Sequence, residues 1–191
     1  LERMRSAGKA LPGIELAILD HDGNRLPPRQ VGEIATRSGS NMVGYWNLPE
    51  ATARTLGKDG WLRTGDAGYM DEDGYLYIHD RIKDMIISGG ENVFPAEVED
   101  LLLAHPDIVE CAVIGVSDDK WGEVPRAVVV LREEGSATGD DLREFLAPQF
   151  AKFWLPDRFE FVDEIPKTAV GKFRKTALRE RFSSAVAAEK H

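Results

Sequence analysis

The sequence is poor in the residue types that mark several common functional classes. Its 191 residues include one cysteine and four histidines, and 33 acidic residues outnumber 24 basic ones, for a net charge of −9. Histidine and cysteine never recur at zinc-ligand spacing, and no serine lies in the G-x-S-x-G turn of hydrolases. The acidic balance argues against a nucleic-acid or membrane-surface protein, because polyanion binding requires a concentrated positive face. We therefore expect small-molecule partners and no metal site.

Long apolar runs are also missing. None approaches the ~20 residues that a membrane-spanning helix needs, and the first residues, LERMRSAGKA, show no signal-peptide pattern. Cys111 lies in the apolar run CAVIGV, where a buried reduced thiol is favoured over a nucleophile. These features predict a cytoplasmic protein. The sequence lacks an initial Met and enters strand-like segments almost at once, as though it were cut from a longer chain.

Two regions of different texture follow each other along the chain. From Gly13 to about Asp80, short strand-like runs alternate with turn residues, and an initial proline favours a short helix from Pro49 to Leu56. Beyond about Lys83, longer amphipathic helices alternate with strands. A hydrophobic content of 42% supports a real core. The pattern predicts an α+β fold with a β-rich first part and a compact second part of strands covered by helices.

The second region carries clear helix and strand signals. Pro95 opens a helix with apolar residues at helical spacing, and Pro106 stops it. IVECAVIGV and RAVVVLR are typical of strands, and Thr138 with Asp141 resembles the capping box that starts a helix. A last helix is expected to present an apolar face made of Phe173, Ala177, Phe182 and Val186.

A turn with the sequence DEDG should join two strands of the first region as a hairpin, with Gly74 available for a positive φ and a bulge. Pairing about the turn centre places Asp66 opposite His79 or Asp80, and Arg81 follows directly. A carboxylate can accept both hydroxyls of a ribose while a guanidinium donates to its oxygens. The pair is a candidate nucleoside site, with a structural ion pair as the alternative.

Two features further along could contact a ligand. Gly89 and Gly90 permit close approach to the backbone, but adjacent glycines equally form tight turns. Trp121, in the polar stretch SDDKWGE, could stack on a flat ring or pack over an edge of its own domain. Both alternatives stay open at this point.

The stretch IPKTAVGK ends like a phosphate-binding loop. That loop requires a glycine five residues before Gly171 and a Ser or Thr after Lys172, where this chain has Pro166 and Phe173, so a P-loop is excluded. Residues 164–181 nevertheless hold six basic and two acidic residues, a local charge of +4. Such a positive focus suits a phosphate ligand, with a solvated helix face as the alternative.

Five segments, taken in order, resemble the carboxyl-terminal third of an acyl-CoA synthetase (fatty-acid–CoA ligase) of the adenylate-forming superfamily. They are GKALPGIELAILD, GYWNLPEAT, GWLRTGDAGYMDEDGYLYIHDRIKDMIISGGENVFPAEVE, AVIGVSDDKWGE and IPKTAVGKFRK. The resemblance covers nearly the whole chain. It implies an enzyme that uses ATP and Mg²⁺ to convert a carboxylic acid, here a fatty acid, into acyl-AMP and then transfers the acyl group to CoA.

The resemblance also implies a division into domains. Residues 1–82 resemble the last, barrel-like part of the large domain. Residues 83–191 resemble a small lid domain that rotates between the two steps about a hinge at Arg81 to Asp84. Lys83 matches the hinge residue of the family.

Site residues are implied in the same way. Asp66 and Arg81 match residues that contact the ribose. Lys172 matches the adenylation lysine, which stabilises the charge that gathers on the α-phosphate. Three positions match segments that face CoA, namely Gly89, Gly90 and Trp121.

The chain departs from the family in two respects. An aromatic-Lys-x-Pro run is common near the CoA site, and here FWLP has Trp154 in place of the lysine. The phosphate loop, the acyl pocket and the Mg²⁺ ligands belong to upstream segments that this sequence does not contain. We therefore expect a fragment that is inactive alone, and a homo-oligomer formed through the missing large domain is left open. The alternatives are a peptide-synthetase adenylation domain and a non-catalytic module that retains the fold.

Overall fold

The computed structural model describes residues 2–57, 59–133 and 135–188. The chain divides into two compact units, Leu1–Lys83 and Asp84–His191. Sheets form the centre of both units and helices accompany them, so the predicted α+β fold is confirmed.

The first unit is built on a four-stranded antiparallel sheet in which each strand pairs with the next along the chain. Its strands are β1 (Glu15–Leu19), β2 (Gly32–Arg37), β3 (Leu62–Met70) and β4 (Leu76–Arg81). A 3₁₀ helix (Glu2–Arg5) precedes the sheet, and helix α1 (Pro49–Thr55) lies between β2 and β3. As predicted, α1 begins at a proline; it ends one residue earlier than expected.

Side chains of this sheet are buried on both faces. Along β1, Ala17 and Leu19 join one buried cluster with Trp61, whereas Ile18 joins another with Ile34. This alternation follows from the period of two in a strand, which sends neighbouring side chains to opposite faces. Each cluster contains few residues, so the unit has two thin cores rather than one thick one.

The β3–β4 hairpin contains a bulge that sets the position of its functional residues. Gly68 pairs with Ile78, but beyond the bulge the register shifts and Asp66 pairs with Arg81. The prediction that Asp66 faces His79 or Asp80 is therefore wrong. An extra residue in β4 moves the pairing along by one position, and a symmetric count from the turn cannot reveal it.

The second unit is built on five strands in the order β6-β5-β8-β7, with β9 pairing parallel to β8. The strands are β5 (Ile86–Ser88), β6 (Glu91–Val93), β7 (Ile108–Asp118), β8 (Gly122–Leu131) and β9 (Phe159–Phe161). The helices are α2 (Pro95–Leu103), α3 (Gly139–Leu146) and α4 (Lys175–Ala188), with 3₁₀ helices at Ile82–Asp84 and Lys152–Trp154.

The long β7–β8 hairpin separates two cores. On one face, Cys111 and Val113 pack with Leu102 of α2 and Leu142 of α3. On the other face, Ile114 and its neighbours pack with two residues of α4, Leu178 and Phe182. The continuous apolar runs of β7 and β8 are thus explained, because a strand covered on both faces needs no polar alternation.

The helix ends agree in part with the sequence signals. Thr138 Oγ accepts from Asp141 N–H and Asp141 accepts from Thr138 N–H, so the capping box is present. These hydrogen bonds from Thr138 hold the pKa of Asp141 below its usual value. The last helix begins at Lys175, so placing Phe173 within it is wrong. Phe173 instead pairs with Lys167 in an isolated bridge, although its ring still packs against the α4 core.

The Cys111 thiol should be unreactive in the folded protein. It is 1% exposed, and burial, with a smaller contribution from the nearby Glu99 carboxylate, raises its pKa to about 12. Because the thiolate is the reactive form, labelling with iodoacetamide at pH 8 should be slower than in the unfolded chain by roughly a thousandfold. Mass spectrometry of native and guanidinium-unfolded samples measures this. Equal labelling rates would contradict the buried position.

Gly68→Ala should destabilise the first unit. A Cβ at this position would lie 2.3 Å from the carbonyl oxygen of Tyr77 and 3.0 Å from Cδ1 of Ile34, so the strands would have to separate. We expect a loss of about 1–3 kcal/mol in the free energy of unfolding, measured by urea denaturation. Gly39→Ala is the matched control, because no atom lies within 4 Å of its added Cβ. Equal urea midpoints for the two variants would contradict the close approach.

Candidate functional site

Asp66 and Arg81 lie opposite each other where the β3–β4 pairing ends, far from the DEDG turn. Arg81 Nε is 3.3 Å from Asp66 Oδ1, and the two side chains are 52% and 37% exposed. The structure therefore brings this predicted pair together. An ion pair of this exposure contributes at most about 1 kcal/mol to stability. The other carboxylate oxygen and the terminal guanidinium N–H groups remain suited to a polyhydroxyl or anionic ligand.

The backbone at Asp66 is fixed by neighbouring strands. Gly65 N–H donates to Glu33 Oε1 (3.1 Å), and Asp66 N–H donates to Thr64 Oγ (3.1 Å). Thr64 Oγ in turn donates to the carbonyl of Ile34 (2.8 Å). Gly65 has a φ of 75°, which suits glycine. Sequence reasoning missed Glu33 and Thr64, because their contacts depend on a cross-strand register that no local pattern reveals.

Lys83, the predicted hinge residue, is exposed in the 3₁₀ helix Ile82–Asp84. It is the last residue of the first unit. Asp84, which follows it, is buried, and its Oδ1 accepts a hydrogen bond from Arg179 at 2.9 Å. The hinge role itself stays a prediction.

Lys172 lies at the end of a tight hairpin turn. Thr168 N–H donates to the Lys172 carbonyl (2.7 Å), and Gly171 N–H donates to the Thr168 carbonyl (2.9 Å). Gly171 has a φ of 82°, a conformation that favours glycine. The glycine before Lys172 therefore closes a hairpin turn and does not wrap around a phosphate. The turn leaves Lys172 exposed.

Several cations of the basic segment 164–181 are bound to carboxylates elsewhere in the second unit. Lys167 pairs with Glu110, Lys175 pairs with Glu99 (2.7 Å) and Arg179 pairs with Asp84 (2.9 Å). These carboxylates therefore offset part of the +4 charge that residues 164–181 carry. Lys172 differs from both of these lysines, since no described residue of its unit forms an ion pair with its ammonium group.

Gly89 and Gly90 form the two-residue turn between β5 and β6. Ser88 pairs with Glu91 across this turn, and the glycines have φ values of 60° and 88°. Positive φ at both central residues is typical of a type I′ hairpin turn. The tight-turn alternative is therefore present, and the exposed position of both glycines leaves the ligand-facing alternative open.

Trp121 packs against this turn. Gly89 N–H donates to the Trp121 carbonyl (2.8 Å), and a Cβ added at Gly89 would lie 2.8 Å from the indole ring. Gly89 is therefore required for the ring to lie where it does, whereas Gly90 faces open space. Trp121 is still 46% exposed. Its ring packs on Gly89 within the unit, and the Lys120 ammonium lies over it, 4.6 Å from the ring centroid.

A groove of about 590 Å³ runs beside Trp121 within the second unit. Its apolar wall is formed by Val124, Pro125, Phe153 and Leu155. Two cationic residues, Arg143 and Lys152, and two acidic residues, Glu91 and Asp157, also line it, together with Gly89 of the predicted CoA-facing turn. A groove with apolar walls and a few charged groups is a typical ligand site.

Trp154 points into the core rather than into this groove. Its ring stacks on Phe150 at a centroid distance of 5.2 Å and also contacts Phe94. Trp154 accordingly takes no part in the groove lining, and the lysine found there is Lys152, two positions earlier. Sequence reasoning missed Lys152 and Arg143. No local pattern in KFW reveals this, because the 3₁₀ turn that separates the directions of Lys152 and Trp154 is visible only in the structure.

Two features are absent from residues 2–57, 59–133 and 135–188. No group of three or more His, Cys, Asp or Glu side chains in those ranges is arranged to hold a metal ion. None of the helices that the structure describes has the length and apolarity required to cross a bilayer.

Two family descriptions match the sequence. Residues 97–172 match the AMP-binding enzyme C-terminal domain, and residues 1–46 match the AMP-binding enzyme. Together they include the Lys172 turn, Trp121 and the start of the first sheet.

Named proteins and a solved structure support this match. The chain is 48% identical to a fatty acid–[acyl-carrier-protein] ligase, ScoC, of Streptomyces coeruleorubidus, over 94% of this chain and 34% of that protein. It is also 48% identical to a 2-succinylbenzoate–CoA ligase of Geobacillus kaustophilus, over 94% of this chain and 36% of that protein. The chain therefore spans about a third of the length of the curated relatives it matches.

The o-succinylbenzoate CoA synthetase MenE of Bacillus subtilis, solved with the acyl-adenylate intermediate OSB-AMP, superposes with a TM-score of 0.87. The two sequences are 40% identical over 93% of this chain and 36% of that chain. Relatives acting on different acids share this similarity, so the comparisons identify the family and not a fatty-acid specificity. The chain belongs to the AMP-binding enzyme family, the adenylate-forming superfamily, and includes its C-terminal domain.

Proposed function

We propose that this chain is the carboxyl-terminal part of an AMP-forming acid–thiol ligase that activates a carboxylic acid with ATP and transfers the acyl group to CoA. In the first step, a carboxylate oxygen attacks the α-phosphorus, and the bond to pyrophosphate breaks with its electron pair. In the second step, the thiol sulfur attacks the acyl carbonyl and AMP leaves. One relative is named as an acyl-carrier-protein ligase and the other as a CoA ligase, so the names support a ligase class, and CoA is our proposed thiol.

The observation that carries the proposal is the exposed Lys172 without an ion-pair partner in its unit, between two lysines that are held by carboxylates. Charge develops on the α-phosphate and on the bridging oxygen during the first step. A cation aimed at these oxygens stabilises the transition state more than the ground state, which raises the rate. We assign this role to Lys172.

We assign nucleoside binding to Asp66 and Arg81. The Asp66 carboxylate can accept hydrogen bonds from the two ribose hydroxyls, and Arg81 can donate to a sugar oxygen. Their partial exposure and 3.3 Å separation leave donor and acceptor capacity for such a ligand. We further propose that Lys83 is the hinge about which residues 83–191 turn as a lid, and that residues 1–82 are the end of the large domain.

The second step is assigned to the Gly89–Gly90 turn, Trp121 and the groove beside them. We infer that these residues suit CoA, because the partly exposed Trp121, whose ring centroid lies 4.6 Å from the Lys120 ammonium, can contact an adenine while the apolar wall accommodates a pantetheine chain.

Lys152 is the cation that we assign to a phosphate group, because Arg143 donates to the Asp157 carbonyl (2.6 Å) and the carboxylates of Glu91 and Asp157 also line the groove. Trp154 stacks on Phe150 and does not line this groove.

The Mg²⁺ that the family implies finds no ligand set among the described residues. We therefore derive no step of this chain through the metal and place its ligands in upstream segments of a longer protein. For the same reason we propose that residues 1–191 alone do not turn over.

A fatty acid is our proposed substrate. The 48% identity to a fatty acid ligase supports it, but the equal identity to a succinylbenzoate ligase makes an aryl acid the alternative. A peptide-synthetase adenylation domain ranks lower, because neither relative is named as a peptide synthetase. A non-catalytic module would have no physical need for Lys172, Asp66 and Arg81 together.

Lys172→Ala in the full-length protein should abolish the first step selectively. We expect ATP–pyrophosphate exchange with a fatty acid to fall by roughly 10²–10³-fold, because the cation for the developing charge is lost. Thioester formation from supplied acyl-adenylate should change by less than about threefold, since Lys172 acts before that step. Exchange and single-turnover assays measure the two steps separately.

Arg174→Ala is the matched control for this experiment, because it removes an exposed positive charge two residues away. It should leave both steps close to the unsubstituted rates. Unchanged acyl-adenylate formation in Lys172→Ala would favour the non-catalytic module. Robust exchange by the isolated 191-residue chain would contradict the assignment of activity to a longer protein.

Trp121→Ala should weaken the second step and spare the first. Stacking of a base on an aromatic ring contributes about 1–3 kcal/mol, so we expect the KM for CoA to rise by roughly ten- to a hundredfold. Trp121→Phe, which keeps an aromatic face, should lie between. ATP–pyrophosphate exchange should be unchanged in both variants. An unchanged KM for CoA in Trp121→Ala would exclude the indole from the thiol site.

A further inference from the structure

The residue next to the proposed hinge is held by the last helix. Asp84 is 9% exposed and follows Lys83 directly. Its Oδ1 accepts from the Arg179 guanidinium at 2.9 Å, across 95 residues of sequence. Asp84 and Arg179 are 12% and 28% exposed at the side chain, so the pair is much more sheltered than the Asp66–Arg81 pair. A hydrogen-bonded ion pair with this degree of burial holds its partners in one geometry more firmly than a surface pair does.

Each partner of this pair lies close in sequence to one of the two turns that carry proposed functional residues. Asp84 immediately precedes the segment that enters β5, and β5 ends at the Gly89–Gly90 turn. Arg179 lies in α4, which begins three residues after Lys172. The Asp84–Arg179 pair therefore connects the residue that precedes the β5 segment to helix α4, which follows Lys172. The pair lies directly beside the proposed hinge residue.

The rest of α4 is fixed independently of Arg179. Leu178 and Phe182 pack on the β7–β8 sheet, and Lys175 pairs with Glu99 at 2.7 Å. Arg174 N–H donates to the Pro166 carbonyl (2.8 Å), which fixes the base of the Lys172 turn. Loss of the Arg179 side chain would thus leave the helix in place. What would be released is Asp84, and with it the backbone between Lys83 and β5.

We propose that Arg179 is a positioning residue that confines the hinge to Lys83. With Asp84 held, rotation about the hinge turns the second unit as one body. The Gly89–Gly90 turn then replaces the Lys172 turn at the reacting nucleotide, and the distance between the two turns stays the same. Without the pair, the flexible stretch extends over Asp84 and Met85, and neither turn is presented accurately. This proposal rests on the proposed function for its kinetic consequences, but the anchoring of Asp84 can be measured without activity.

The kinetic test uses Arg179→Gln in the full-length protein. Both half-reactions should fall by about tenfold in rate, because misplacement of a catalytic group by a fraction of an ångström affects kcat. The KM for ATP should stay within about twofold, since the nucleoside residues lie in the first unit. Arg179→Lys, which can still reach the carboxylate, should recover most of the rate. Loss of the first step alone would contradict the proposal and assign Arg179 to the Lys172 turn.

Two further variants test whether the rate loss comes from the Asp84–Arg179 pair or from the removal of a positive charge. Arg174→Gln removes a positive charge outside the pair and should leave both half-reactions unchanged; an equal loss in this variant would overturn the proposal. Asp84→Asn should reproduce the Arg179→Gln loss, and the double variant should be no slower than either single variant, because both remove the same interaction. Additive losses would show that the two residues act separately and would refute the pairing.

The structural test uses the 191-residue chain itself. Amide hydrogen exchange in Arg179→Gln should rise at residues 82–86 and stay unchanged in β7 and β8, whereas Arg174→Gln should alter neither. Faster exchange throughout β7 and β8 would show that Arg179 has a general structural role and would overturn the proposal. Failure of the proposed function can be distinguished from failure of this proposal. In that case the unsubstituted full-length protein would form no acyl-adenylate, whatever the amide hydrogen exchange shows.

Discussion

The antiparallel β7–β8 ladder is the interaction on which the second unit depends. Its register runs without a break from Glu110 paired with Val130 to Asp118 paired with Gly122. One face of the ladder holds α2 and α3, and the other holds α4. At its turn, Asp118 Oδ1 accepts from Trp121 N–H (2.8 Å), which fixes the residue proposed to face CoA. A slip of one residue in this register would move the side chains of each face to the opposite face, because side chains alternate along a strand. The same slip would displace Trp121.

The polar groups of the candidate site contribute little to holding the protein together. The Asp66–Arg81 pair is half-exposed, and ion pairs of that kind contribute at most about 1 kcal/mol. The second unit, in contrast, is held by apolar side chains on both faces of β7 and β8 that are almost fully buried. Stability therefore gives no reason for a carboxylate and a guanidinium at this sheet end. The proposed nucleoside binding would account for them, because both groups keep hydrogen-bonding capacity beyond their contact with each other.

Features governed by short-range pattern could be predicted from the sequence, and features governed by long-range pairing could not. The α+β class, the prolines that open α1 and α2, and the Thr138–Asp141 capping box follow from local residue spacing. The extra residue in β4 that brings Asp66 opposite Arg81 leaves no local trace.

The same distinction applies to side-chain partners. Glu110, Glu99 and Asp84 lie far from residues 164–181 in sequence, so counting the charges of that segment could not show which cations they neutralise. The position of Trp154 in FWLP predicts a change at a ligand site. Its packing against Phe150 depends on the direction of a 3₁₀ turn, which the four letters do not encode.

The different environments of Lys167, Lys172 and Lys175 agree with the proposal that Lys172 is a mobile catalytic cation. Lys167 and Lys175 are each held by a carboxylate, and both anchor the segment that carries the turn between them. An ion pair of about 1 kcal/mol at Lys172 would have to break before each adenylation and would slow that step by a factor of about five. A lysine that must enter a site and then leave it is therefore best kept without a partner in its own unit. Gly171 supports this arrangement, because a turn closed by backbone hydrogen bonds holds Lys172 at the surface without using its side chain.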